Sequence, residues 1–110
     1  MFEFGSVVLT RFPFTDLSGA KLRPALVISR DNDRRDDVIL AFITSRTAAA
    51  ENPDGLRIDP SPRNGLKVPS VVRFDKIATL EKHIIAGKLG DAEPAFLADA
   101  KAVFHCVFGF

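Results

Sequence analysis

Cysteine occurs once in the 110 residues, at Cys106, and histidine only twice, at His83 and His105. A lone cysteine cannot close an intrachain disulfide, and such scarcity fits a chain kept in a reducing cytoplasm. It also gives no basis for a thiolate metal site, so neither a metal nor another cofactor is expected. Tryptophan and tyrosine are absent, and all ten aromatic rings belong to phenylalanine. No apolar run reaches the roughly 20 residues that a membrane-spanning helix needs. The opening MFEFGSVVLT lacks the charged-then-apolar pattern of a secretory leader and enters strand-like sequence at once. Neither sign of charge dominates: 15 basic and 14 acidic residues leave a formal +1. Any anion site must therefore come from local placement of side chains and not from bulk charge. There is no internal repeat and no low-complexity tract.

What is present is hydrophobic sequence, 46% of the chain, in short runs broken by turns. At this length one domain, spanning 1–110, is expected. SVVLTRF (6–12) is rich in β-branched residues and reads as a strand. FPFTDLSGAK then supplies Pro, Asp, Ser and Gly for a loop. RPALVIS (23–29) is apolar but too short for a helix, hence a buried strand. RDNDRRDD (30–37) reads as an exposed turn, VILAFIT (38–44) as a third strand and SRTAAAENPDG as a long loop. LRIDP, SVVRFDKIATL (70–80) and HIIAGKLG (83–90) read as further strands. The tail changes period. Phe96, Leu97, Ala100, Val103, Phe104, Val107 and Phe108 recur at three and four residues, which predicts an amphipathic helix from about Glu93 to Phe108 with Asp91 as its N-cap. Short strands closed by one helix make the fold mainly β (α+β), a small barrel whose open side the helix covers.

Three places carry side chains able to do chemistry. Arg23 opens the second strand directly before Pro24. The proline ring restricts the preceding residue to extended backbone, so the guanidinium enters the strand from a constrained position. Thr44 and Ser45 end the third strand beside Arg46, as two hydroxyls next to a cation. In SVVRFDK, alternation sets Val71, Arg73 and Asp75 on one face and Val72 and Phe74 on the other. Arg73 and Asp75 are then roughly 7 Å apart at Cα. A surface ion pair there is worth less than about 1 kcal/mol, and taken alone that is the better reading of the pair. Solvation at the strand entrance and hydrogen bonding at a strand end would equally account for Arg23 and for Thr44 with Ser45. His105 falls on the polar side of the tail helix, and neither it nor His83 has an evident partner.

Taken in order, GSVVLTRFPFTD, GAKLRPALVIS, VILAFITSR and GLKVPSVVRFDKIATL resemble the MazF/PemK toxins of type II toxin–antitoxin modules, from Gly5 to the end. The Arg-Pro that opens the second strand and the Thr-Ser that closes the third are the most specific marks, followed by VVR-x-D. The resemblance implies a small SH3-like barrel with a C-terminal α-helix and a homodimer. It implies a metal-independent endoribonuclease that cuts single-stranded RNA at short sequences and is held in check by a MazE/PemI-like antitoxin. Arg23 and Thr44 match the family's catalytic arginine and threonine, and Arg73 and Asp75 match the further catalytic pair of the PemK branch. Ser45 follows as an RNA contact, with Arg46, Lys76, Asp16, Ser18 and Lys21 as further RNA-binding positions. The first loop, TDLSGAKL, has no histidine where some members carry one. Without Trp or Tyr, any stacking on a base must use Phe or Arg. Two other readings stay open: a gyrase-poisoning CcdB-like toxin, whose Trp-Gly-Ile ending this VFGF tail lacks, and a non-catalytic SH3-like peptide-binding module.

Overall fold

The computed structural model describes residues 2–11, 21–31 and 34–110. Among the described residues, six strands form one curled antiparallel sheet: β1 (Ser6–Thr10), β2 (Arg23–Val27), β3 (Asp37–Thr44), β4 (Gly55–Ile58), β5 (Ser70–Glu81) and β6 (Gly87–Asp91), in the order β4-β5-β3-β2-β1-β6. The helix α1 (Pro94–Phe108) follows. The molecule is thus mainly β with a closing helix. Among the described residues no helix is long and apolar enough to cross a membrane.

Alternation along the strands sorts the apolar residues into two clusters, one on each face of the sheet. Val7, Leu26, Ala41, Ile43, Val72 and Phe74 share one face with Ala100 of α1, and Phe96, Leu97, Val103, Phe104 and Val107 pack against them. Val8, Ala25, Val27, Val38, Leu40 and Phe42 make the other. The register agrees, with Val7 opposite Leu26 and Val8 opposite Ala25. Burial on both faces is why β2 and β3 read as unbroken apolar runs and not as an alternation of apolar and polar. At about 25 cal/mol per Å², each fully buried Val or Leu in these clusters contributes roughly 1.5–3 kcal/mol.

Three details depart from the sequence reading. Asp91 does not cap the helix; it is the last residue of β6, paired with Ser6. Glu93 occupies the N-cap position without a side-chain capping bond, and Pro94 begins the helix, where its missing N–H costs nothing. The Glu93 carboxylate instead accepts from the Ser61 hydroxyl and, at 3.3 Å, from the Asn64 amide. The expected strand over 83–90 is shortened by a 3₁₀ turn at Lys82–Ile84, and the long loop after Thr44 contains another at Thr47–Glu51. The helix ends where the periodicity ends, with Gly109 in the left-handed region (φ 75°) donating its N–H to the His105 carbonyl.

β5 carries the irregularity that matters most. Ala41 pairs with Ile77, yet the next residue of β3, Phe42, pairs with Arg73. Phe74, Asp75 and Lys76 are therefore inserted into β5 with no partner on β3. The Phe74 N–H donates instead to the Asp54 carbonyl, 3.0 Å away, ahead of β4. Such bulges re-aim side chains.

Candidate active site

Arg23 heads β2 opposite Thr10. Its position in the alternation is that of Ala25, which pairs with Phe42. Phe42 pairs in turn with Arg73, and Thr44 with Val71. Arg23, Phe42, Thr44 and Arg73 thus share one face on three neighbouring strands, spaced about 4.8 Å apart. They line one open cleft of about 330 Å³ together with Ser45, Arg46 and Lys76. Strict alternation from Arg73 would turn residue 76 to the opposite face. The inserted residues of β5 break that count and let Lys76 join the cleft.

Arg73 and Asp75 form a two-pronged ion pair. The Arg73 Nη2 lies 2.7 Å from Asp75 Oδ2 and its Nε donates to Oδ1 at 3.2 Å. Each side chain is 26% exposed, so the pair is more sheltered than an edge-strand ion pair, and its fork geometry fixes both groups. Partial burial pushes the Asp75 carboxyl up, but the hydrogen bonds and charge of Arg73, with a smaller pull from Lys76, outweigh it and hold the group below the usual carboxylate range. Asp75 is therefore ionised at neutral pH. Thr44 is half-buried at the end of β3, and its Oγ1 accepts the Arg46 backbone N–H at 3.2 Å. With that acceptor lobe occupied, the hydroxyl hydrogen is left to donate into the cleft.

Among the described residues, Arg23, Arg46, Arg73 and Lys76 bring four cations to one face; Asp75 is paired with Arg73 beside the cleft and does not itself line it. A chain of formal charge +1 so acquires a concentrated positive site. Planar guanidinium forks, an ammonium and hydroxyl donors together suit a phosphodiester. Lys21 does not line this cleft; it borders an adjoining groove that shares Arg23 and Ser45 with it. Asp16 and Ser18 lie outside the described residues. His83 is exposed on the far turn, 3.1 Å from Glu81. His105 is exposed on the helix, outside its apolar stripe, and with Lys101 borders an apolar hollow beside Phe4 and Phe104. Sequence reasoning missed Phe42, whose even-numbered position matches that of Thr44 on β3, and Lys67 on the adjoining groove.

Comparison with known proteins agrees with the geometry. The family model of the PemK-like, MazF-like toxins of type II toxin–antitoxin systems matches residues 3–108. No curated protein matches the sequence. Among solved structures, the chain is similar to an endoribonuclease in complex with its cognate antitoxin from a mycobacterial species, at 25% identity and TM-score 0.76 over 100% of this chain and 96% of that one. It is similar in fold to the Mycobacterium tuberculosis toxin MazF-mt6, at 20% identity and TM-score 0.77 over 96% and 97% of the two chains. A MazE–MazF complex from Deinococcus radiodurans superposes with TM-score 0.74 at 23% identity, over 98% and 95%. With nearly its whole length matched by the family model, the chain belongs to the PemK-like, MazF-like toxins of type II toxin–antitoxin systems.

Proposed function

We propose that this toxin is a metal-independent endoribonuclease of single-stranded RNA, acting in the cytoplasm, with its chemistry in the cleft of Arg23, Thr44 and Arg73. The observation that carries this reading is the convergence of cations from β2 and β5 with the Thr44 hydroxyl of β3 in a single cleft. The ribose 2′-OH attacks the adjacent phosphate. Charge builds on the phosphorane oxygens, where fixed guanidinium donors stabilise it. Arg23 and Arg73 supply the forks, and Thr44 donates its hydroxyl hydrogen to a non-bridging oxygen. Asp75 accepts the 2′-OH proton. It is a weak base, because Arg73 keeps its carboxyl below the usual range, so turnover is slow. An arginine holds its proton too firmly to act as general acid, and Lys76 is the better donor to the leaving 5′-oxygen. The products are a 2′,3′-cyclic phosphate and a 5′-OH, and DNA is spared for want of the 2′-OH.

A solved relative is complexed with its cognate antitoxin, and this chain is expected to bind one of its own, through an acidic segment drawn to the same cations. A homodimer is expected as well, and the exposed rings of Phe4 and Phe108 offer apolar surface for it. Incubating the protein with a long single-stranded RNA in excess EDTA tests the chemistry. Fragments ending in cyclic phosphate are expected, and Arg23→Ala should cut at least about 100-fold more slowly while keeping its fold. Cleavage that needs added Mg²⁺, or an Arg23→Ala variant as active as the parent, would refute the reading.

A further inference from the structure

Beside the cationic cleft lies a second groove, about 370 Å³, that shares Arg23 and Ser45 with it. Its character is different. Leu22, Pro24, Leu66 and Val68 present aliphatic surface, and Lys21 and Lys67 stand among them. Leu22 and Val68 are 40% and 50% exposed, which is costly for large apolar side chains at a site with no partner. The wall that carries Lys67 and Val68 is held in place from below. Asn64, fully buried, accepts the Ser61 and Leu66 N–H groups through its Oδ1 at 3.0 Å each. Its amide donates to the Asp59 carbonyl at 2.8 Å, and the Ser70 hydroxyl donates to the Val68 carbonyl at 3.0 Å. This wall is thus shaped before any ligand arrives, which lowers the ordering cost of binding.

We infer that this groove is the subsite for the nucleobase flanking the phosphate bound in the cationic cleft, with Leu22, Pro24 and Val68 against the base and Lys67 on the next phosphate along the strand. The inference rests on the nuclease reading for the identity of the strand, and on two observations of its own. The groove is continuous with the cleft through Arg23 and Ser45, so one strand can run from one to the other. Its apolar wall is bordered by lysines with no ion-pair partner among the described residues, which complements an apolar base carried on an anionic backbone. Single-stranded nucleic acid is held by this combination of cationic track and base-contacting surface. Among the described residues no aromatic ring lines the groove; the base lies on aliphatic side chains, and the contact selects for base size more than for stacking strength.

The test reads binding without cleavage. The probes are 2′-O-methyl heptanucleotides of uridine, cytidine or adenosine, and an abasic 2′-O-methyl ribose-phosphate heptamer of the same charge. At least one base-bearing strand should bind the parent protein about tenfold more tightly than the abasic strand. In the surface double variant Leu22→Gln/Val68→Gln that excess should shrink to about twofold or less, with unchanged Tm. Lys67→Gln should weaken all four probes alike and flatten the salt dependence. An excess that persists in the double variant would overturn the inference, because the bases would then be read elsewhere. So would an excess that persists while the double variant changes oligomeric state in sedimentation, which would give the groove to a second copy of the chain. A base-dependent excess lost in the double variant, with no cleavage of natural RNA by the parent, would sink the nuclease reading and leave the subsite standing.

Discussion

Asp75 shows how far one side chain can be argued from its surroundings. From the sequence, burial and Arg73 pull its carboxyl in opposite directions. In the structure burial is partial and the Arg73 fork prevails, so the group sits low. Glu93 is also held low, first by the Ser61 hydroxyl that donates to it. A carboxyl whose folded pKa lies below its unfolded value adds stability that is complete above the unfolded pKa and is lost as pH falls through the folded one. Thermal melts should therefore show Tm falling from about pH 5 to pH 3, across the ordinary carboxylate range. Asp75→Asn/Glu93→Gln should start lower at pH 7 and fall less; an unchanged pH slope would mean that these groups are not the source. Thr44 gives a second test at this scale. If its hydroxyl donates to phosphate, Thr44→Ser keeps most activity while Thr44→Val loses about 100-fold in kcat/KM at unchanged stability. Equal activity of the two variants in a single-turnover assay would remove the hydroxyl from the chemistry.

Among the elements, strands and helix were legible because their apolar periods are clean. The β-branched runs at 6–10 and 37–44 and the three-and-four spacing from Phe96 onward leave little choice. Asp91 was misread because residue type favours capping, whereas pairing with Ser6 keeps it in the sheet. The insertion in β5 was invisible: nothing in FDK marks three residues without a β3 partner, since the displaced bonds go to a turn distant in sequence. Arg73 and Asp75 were correctly set on one face by alternation, but the position of Lys76 in the same cleft depends on the bulge. The turn before β5 was equally hidden. It lies so close to β6 that a Cβ at Gly90 would sit 2.2 Å from the Arg63 carbonyl oxygen. Gly90→Ala is predicted to destabilise the fold by about 1–3 kcal/mol through this overlap. A Tm equal to the parent's in a calorimetric scan would show that the turn and β6 are not packed as described.

On the scale of the whole molecule, a nearly neutral chain presents a cationic cleft on one face of a curled sheet, joined around the strand ends at Arg23 and Ser45 to an apolar groove on the other. Net charge concealed this, because the acidic residues lie mostly elsewhere, in pairs such as Arg35 with Asp37 and Arg57 with Asp59. Motif order pointed to the cleft, and the topology explains why: β2, β3 and β5 are separated in sequence but adjacent in the sheet. The adjoining groove had no such signal, since its walls come from the segment at 21–24 and the turn at 65–70. The most direct measurement is a crystal structure with a single-stranded RNA carrying a 2′-deoxy nucleotide at the cleaved position. The account predicts the uncut phosphate bound by Arg23 and Arg73 with the Thr44 hydroxyl on a non-bridging oxygen. A strand whose uncut phosphate lies outside this cleft, with Arg23 and Thr44 untouched, would contradict it.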